Sequence, residues 1–285
     1  MKISVVEAGM FKLDGGAMFG VVPKRIWNRM NPADQDNLCT WTMRSILIEV
    51  DDRKILVDTG IGFKQGERFR SHFYPHGQEL EESLTEQGFA SEEITDVFIT
   101  HFHFDHVGGA LCHNRHGRII PTFPNATYWS NERHYNYASD PNPREVSSFL
   151  KENFVPLKEQ GCLQFIDCQS DDVPWLSGLK VRFVDGHTDA QMLLLIDQGM
   201  QKYLYAADLI PSKWHIRLPY IMAYDMQPAL TLMEKERVLT ECVAEDRLLI
   251  FEHDPTTEVG KIAQTDEGRF QLETKGLLSS SFPTS

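Results

Sequence analysis

The stretch Ile99-Thr100-His101-Phe102-His103-Phe104-Asp105-His106-Val107-Gly108-Gly109 constrains this chain more than any other. Four strong metal-ligand side chains fall within six residues. On a helix, His101 and His103 would point to nearly opposite sides. They converge only where the chain turns, as it can on leaving a strand. Asp96–Thr100 is β-rich and supplies that strand. Gly108 and Gly109 allow unusual backbone angles and close approach just afterwards. A lone histidine here would read as a loop residue. The pattern H-x-H-x-D-H between a β run and Gly-Gly reads as a ligand set.

One short loop rarely completes a metal site. Downstream, Asp185-Gly186-His187-Thr188-Asp189 follows a β run, Ala206-Ala207-Asp208 ends another, and Phe251-Glu252-His253-Asp254 ends a third. Each puts a His or Asp at the C-terminal end of an apolar β segment. With the first cluster they make five imidazoles and two carboxylates. Such donors, without thiolates, suit Zn, Mn, Fe, Ni or Co, with zinc the default.

The rest of the chain reads as hairpins with interspersed helices. Ile3–Val6 is a first strand. Arg44–Val50 and Lys54–Val57 form a hairpin around Asp51-Asp52-Arg53. Glu79–Gln87 has a helical pattern and stops at Gly88. Ser91 reads as the N-cap of a short turn. Ala126–Trp129 is a strand, and Ser130 caps the helix after it. A helix is expected over Arg144–Phe154. Strands follow at Leu163–Ile166, Lys180–Val184, Met192–Ile196 and Lys202–Ala206. Pro228–Val243 is a helix and Arg247–Phe251 a strand. A last hairpin turns at Asp266-Glu267-Gly268, and the tail Ser279–Ser285 reads as frayed. This is an α/β order without strict βαβ repetition. Two mixed sheets with helices outside, in a four-layer αββα stack, fit it, although composition alone does not select that architecture. At 285 residues, 41% hydrophobic and 24% charged, the chain can bury a large core. It reads as one domain over 1–285.

The net charge of −13 disfavours nucleic acid and anionic membrane surfaces as partners. No apolar run is long enough to span a bilayer. The cysteines Cys39, Cys112, Cys162, Cys168 and Cys242 are odd in number and lack C-x-x-C spacing, which fits reduced thiols. With no leader-like N-terminus, a cytoplasmic location is expected. His72, His76, His113, His116 and His134 show no convergent pattern and read as surface residues.

The H-x-H-x-D-H motif and the order of the later ligands resemble the metallo-β-lactamase fold superfamily, from about Ser45 to His253. The resemblance implies a dinuclear hydrolase that attacks with a metal-bridging hydroxide. His101, His103 and His187 would hold one ion. Asp105, His106 and His253 would hold the second, and Asp208 would bridge the two. Asp105 would also relay a proton. Asp58, in Val57-Asp58-Thr59-Gly60, matches a family aspartate that supports the ligand loop.

Two further stretches look like the branch of quorum-quenching N-acyl homoserine lactonases and methyl parathion hydrolase. These are Leu13–Lys24, apolar and glycine-rich, and Leu209–Ile216. The resemblance makes residues 8–40 an N-terminal cap or dimerisation loop, which would cover the site or join a homodimer. Met18, Phe19, Trp27 and Phe104 would line an acyl pocket, and His215 would donate a hydrogen bond to substrate. Two positions depart from the pattern. Gln191 stands where many relatives have a second histidine, and no tyrosine follows Asp208 closely. The expected activity is lactone hydrolysis, probed against an organophosphate or aryl-ester hydrolase and against a non-catalytic metal-binding protein.

Overall fold

The computed structural model describes residues 1–168 and 172–278. The chain, read above as one domain, separates into two compact units. One comprises Met1–Phe11 and Met43–Val173, and the other Lys12–Thr42 and Pro174–Ser285. The strands are β1 (Lys2–Asp14), β2 (Leu38–Val50), β3 (Arg53–Val57), β4 (Asp96–Phe98), β5 (Leu111–His113), β6 (Ile119–Pro121), β7 (Thr127–Ser130) and β8 (Leu163–Phe165). They continue with β9 (Asp172–Leu176), β10 (Leu179–Val184), β11 (Gln191–Gln198), β12 (Gln201–Tyr205), β13 (Leu248–Ile250), β14 (Val259–Gln264) and β15 (Phe270–Gly276). The helices are α1 (Gly15–Phe19), α2 (Lys24–Trp27), α3 (Glu67–Phe73), α4 (Leu80–Glu86), α5 (Phe104–Val107), α6 (Glu132–Ser139), α7 (Val155–Glu159) and α8 (Pro228–Ala244).

The first sheet has the order β1-β2-β3-β4-β7-β8. The β2–β3 hairpin pairs Ile46 with Val57 and Val50 with Arg53. Its turn is made by Asp51 at φ 53°, a left-handed angle that Asp tolerates. From β3 onward the neighbours are parallel. Parallel strands in a covered sheet bury both faces. Ile55, Leu56 and Val57 of β3 are accordingly fully buried, and Ile46, Leu47 and Ile48 of the antiparallel neighbour β2 are buried as well. The register Val57↔Phe98 brings the C-terminal ends of β3 and β4 out at one edge, where the chain leaves to form Asp58 and the histidine loop.

The second sheet has the order β15-β14-β13-β12-β11-β10-β9. β12 and β13 are parallel, linked through α8, while β10–β11 and β11–β12 are antiparallel. β10, β12 and β13 therefore run the same way. Their C-terminal ends release Asp185–Asp189, Ala206–Asp208 and Phe251–Asp254 at one edge. In open α/β sheets that edge is the usual place for ligands. Both sheets are mixed, which is the α/β class read from the sequence.

Several expectations need correction. Arg144–Phe154 is not a helix but a run of turns with one short 3₁₀ stretch at Lys151–Asn153. Its polar groups serve the histidine loop instead, since Ser148 O accepts from Phe104 N and Glu145 bonds His103. The cap of α6 is Asn131 rather than Ser130, its side chain accepting from His134 N. Ala90, not Ser91, precedes the short turn at 91–93 as its cap residue. Residues 8–40 are no loop: they run through β1, α1, α2 and the start of β2. The tail at 279–285 lies outside the described residues. Among the described residues no cysteine is in a disulfide, and burial pushes the Cys39 and Cys242 thiols up to about 11 and about 12. No helix among the described residues is long and apolar enough to cross a membrane.

Candidate functional site

Asp58 organises the histidine loop of the first unit. It follows β3 at φ 55°, a strained angle for a non-glycine residue. Its fully buried carboxylate accepts from Thr100 N at 2.8 Å and from Thr100 Oγ1 at 2.7 Å. It also meets His106 Nδ1 at 3.0 Å. A carboxylate only accepts here, so His106 carries its proton on Nδ1 and Nε2 is its acceptor nitrogen. The His106 carbonyl is held by Thr59 N at 2.7 Å and Thr59 Oγ1 at 3.0 Å. The turn after it needs glycine: a Cβ on Gly108 would meet Ile61 O at 2.1 Å, and one on Gly109 would meet Thr59 O at 2.2 Å.

The same reasoning fixes the other two histidines. Thr100 Oγ1 donates to Asp58, so it accepts from His101 Nδ1 at 3.0 Å. His103 Nε2 meets the buried Glu145 carboxylate at 2.9 Å. Tyr137 OH in turn donates to Glu145 Oε2 at 2.5 Å. His101 Nε2 and His103 Nδ1 face each other at 3.0 Å, an arrangement that favours a cation or a proton beside them. Asp105 is buried, its Oδ2 3.7 Å from His106 Nε2.

His134 is not a surface residue. It is fully buried, stacks on Phe102 at 5.1 Å, and its Nε2 accepts from Phe102 N at 2.8 Å. It therefore clamps the backbone between His101 and His103. His72, His76, His113 and His116 are exposed, as expected. Phe104 packs against Phe69 and Phe73 of α3, with centroids 5.1 and 4.4 Å away.

In the second unit, Asp208 is the centre. Ala207 at φ 43° turns the chain out of β12 and presents it. His187 Nε2 lies 3.2 Å from Asp208 Oδ2, and His253 Nε2 lies 3.0 Å from Asp208 Oδ1. The far nitrogen of each ring is occupied. His187 Nδ1 meets Asp225 Oδ1 at 2.8 Å, and His253 Nδ1 donates to Thr42 O at 2.7 Å. Each oxygen of one carboxylate thus faces one imidazole whose Nδ1 proton is already engaged. That geometry suits a carboxylate bridging two cations. Glu252 stands with them: ligand atoms of Asp208, Glu252 and His253 lie within 4.8 Å of one another.

Helix α8 supports His187. Glu234 accepts from Asp185 N at 2.7 Å and Gly186 N at 2.9 Å. A Cβ on Gly186 would meet Thr231 N at 2.4 Å, so only glycine lets the helix come this close. Met226 N donates to His187 O at 3.0 Å. Gln191 is fully buried, and its side-chain amide has no hydrogen-bond partner among the described residues. It opens β11 and supports no ligand.

His215 differs from its expected role. It is buried, Ser212 Oγ bonds its Nδ1 at 2.7 Å, and its Nε2 donates to Met18 O at 2.9 Å. Burial drives its pKa down to about 3, so the ring is neutral. Neither nitrogen is left for a substrate. It stacks on Phe19 at 5.3 Å, and Phe19 stacks on Trp27 at 5.5 Å, with Trp41 and Trp214 closing the cluster. Met18, Phe19 and Trp27 are at most 1% exposed and so form core rather than pocket lining.

The sequence reading missed Glu145, Asp225, His134 and Glu252. Glu252 was legible, standing beside His253 after a strand. Glu145 and Asp225 lie in irregular segments far along the chain from the histidines they orient, with no motif around them.

Residues 44–139 match the metallo-beta-lactamase superfamily. Those residues carry a metallo-β-lactamase superfamily domain, and the fold is the metallo-β-lactamase fold. Among curated proteins it is similar to an N-acyl homoserine lactonase of Bacillus cereus, with 24% identity over 274 residues, covering 91% of this chain and 95% of the relative. Among solved structures it is similar to a probable metal-dependent hydrolase from Staphylococcus aureus, with a TM-score of 0.86 and 25% identity over 97% of this chain and 96% of the other. A dizinc quorum-quenching lactonase, solved with its product N-hexanoyl-L-homoserine, shares the fold with a TM-score of 0.78 at 19% identity, over 97% of each chain.

Proposed function

We propose that the chain is a hydrolase using two divalent metal ions, and that it opens the ring of N-acyl homoserine lactones. The ions would be held by His101, His103, Asp105, His106, His187, Asp208 and His253. The observation that carries the reading is Asp208, whose two oxygens each face a different imidazole nitrogen with no proton of its own to offer. The facing nitrogens of His101 and His103 support it. Donors of imidazole and carboxylate type without thiolate fit zinc, and equally manganese or iron.

When bound, such ions lower the pKa of water and polarise a carbonyl oxygen. The protein's own residues do the rest. Asp58, Glu145 and Asp225 hold the histidines in one tautomer and one orientation, which also raises their basicity as ligands. Asp105 is a buried carboxylate beside His106 and takes up the proton released by attacking water, passing it to the leaving oxygen. His215 serves as a strut for the N-terminal segment and does not touch the substrate. The lactone as substrate rests on the likeness to the Bacillus cereus lactonase.

The test is ring opening of a long-chain N-acyl homoserine lactone, followed by proton release, on metal-reconstituted protein. Opening that disappears in Asp208→Ala supports the reading. A protein that carries two metals yet leaves the lactone intact discards the lactone and turns the search to phosphotriesters and aryl esters. A metal-bound protein inert on all three is not an enzyme of this class.

A further inference from the structure

The first unit contains a cavity of about 380 Å³ that includes none of His101, His103, Asp105 or His106 in its lining. It lies where β1 and β2 meet the loop after β3 and the strand β5. Its apolar wall is Met43, Ile61, Leu80 and Leu111, all buried. Two cations, Lys64 and Arg70, line it as well.

Neither cation is neutralised. Lys64 Nζ donates to Gly108 O, and Arg70 Nη1 donates to Gly62 O at 3.0 Å while its guanidinium lies over the Phe63 ring. Neither has a carboxylate within ion-pair distance among the described residues. The acids that line the cavity have other work. Glu79 caps its own helix α4, and Glu81 Oε1 accepts from Ser91 Oγ at 3.0 Å. Two half-buried cations without a counter-charge are unusual in a chain of net charge −13. Desolvation pulls the Lys64 ammonium down to about 8, with Glu152 opposing from beyond ion-pair distance. An anion beside it would reverse that cost.

We propose that this cavity is a second binding site for a small carboxylate with a short apolar body. The carboxylate pairs with Lys64 and Arg70, and the body rests on Met43, Ile61, Leu80 and Leu111. The class of ligand follows from the wall: two cations at one part of an otherwise largely apolar surface favour an amphiphilic anion over a bare inorganic one. The site is also in contact with the ligand loop, because Thr59 and Gly109 line it and Thr59 holds the His106 carbonyl.

The probe is hexanoate, titrated into isotopically labelled, metal-loaded protein and read by the amide resonances of Gly62, Lys64 and Leu111. Inorganic phosphate is the counter-probe. We expect saturable shifts at those amides, a Kd at least tenfold weaker in Lys64→Met and in Arg70→Met, and phosphate binding at least tenfold weaker than hexanoate. Arg70→Met keeps the test valid should Lys64→Met unfold. The proposal falls if the shifts arise only around Asp208, where a carboxylate would be meeting the ions. It falls equally if both folded variants bind hexanoate as the parent does, or if phosphate binds as well as hexanoate. None of these readouts depends on what the enzyme hydrolyses.

Discussion

His101 Nε2 and His103 Nδ1 lie 3.0 Å apart, and the protons of both rings are engaged on the opposite side. A cation bound by these rings would stabilise the fold, because ligands that bind only the folded state stabilise it. Chelation of the metals should lower the melting temperature by roughly 5 °C or more, and zinc should restore it. Calorimetry on chelated and reloaded protein checks this; an unchanged melting temperature would count against metal binding by the folded chain.

Asp208 offers one oxygen to each of two imidazoles, so its loss should affect both ions at once. Asp208→Ala is expected to bind less than one equivalent of metal and to lose turnover with it. Metal analysis by mass spectrometry decides the point, since retention of two ions would remove Asp208 from the bridging role.

Glu145 and Asp225 each fix a histidine by bonding one nitrogen of its ring. Glu145→Gln and Asp225→Asn keep size and shape but add a donor, which favours the wrong tautomer. Metal affinity should fall by about 10- to 100-fold in each. Competition with a chelating dye measures this. Affinity within a factor of two of the parent would show that orientation is set elsewhere.

His215 joins Ser212 to the Met18 carbonyl and stacks on Phe19. Removing it leaves a buried acceptor unpaired, at a cost of about 1–3 kcal/mol. His215→Phe should lower stability by about that amount while kcat/KM stays within roughly threefold, provided assays run well below the melting point. A loss of activity of a hundredfold in folded protein would return His215 to the chemistry.

Lys235 is fully buried and donates to the carbonyls of Arg217, Leu218 and Tyr220. Burial lowers its pKa to about 7, against about 10.4 in an unfolded chain. Between those values the unfolded chain binds a proton that the folded chain has released. Its contribution to stability therefore rises with pH across that window. In Lys235→Met the rise should flatten. Denaturant unfolding at several pH values from 7 to 10 compares the slopes, and equal slopes would refute the assignment.

The histidine loop was legible because H-x-H-x-D-H compresses its information into six residues after a β run. His187, Asp208 and His253 were legible by their shared position after apolar strands. The parallel relation that brings Asp208 and His253 to one edge is set by α8 and is not visible in any local pattern. Strand and helix placements from 160 to 276 followed simple alternation closely. The failure at 144–154 has a physical cause. Glu145 and Ser148 spend their hydrogen bonds on His103 and Phe104, and tertiary contacts override the segment's helical composition. His134 was misread because an isolated histidine before a tyrosine gives no sign that a backbone amide awaits it. The resemblance implied a loop in the N-terminal stretch, whereas Phe19, Trp27 and Met18 anchor it in the core.

That anchoring has a spectroscopic consequence. Three of the chain's five tryptophans, Trp27, Trp41 and Trp214, belong to the cluster around Phe19 and His215. The protein's intrinsic emission is therefore concentrated on one small region, where the start of the chain is sewn to the segment after Asp208. An optical melting curve of this protein would weight that seam three to two over the rest, with Trp129, paired to Phe98, as the reporter beside the histidine loop.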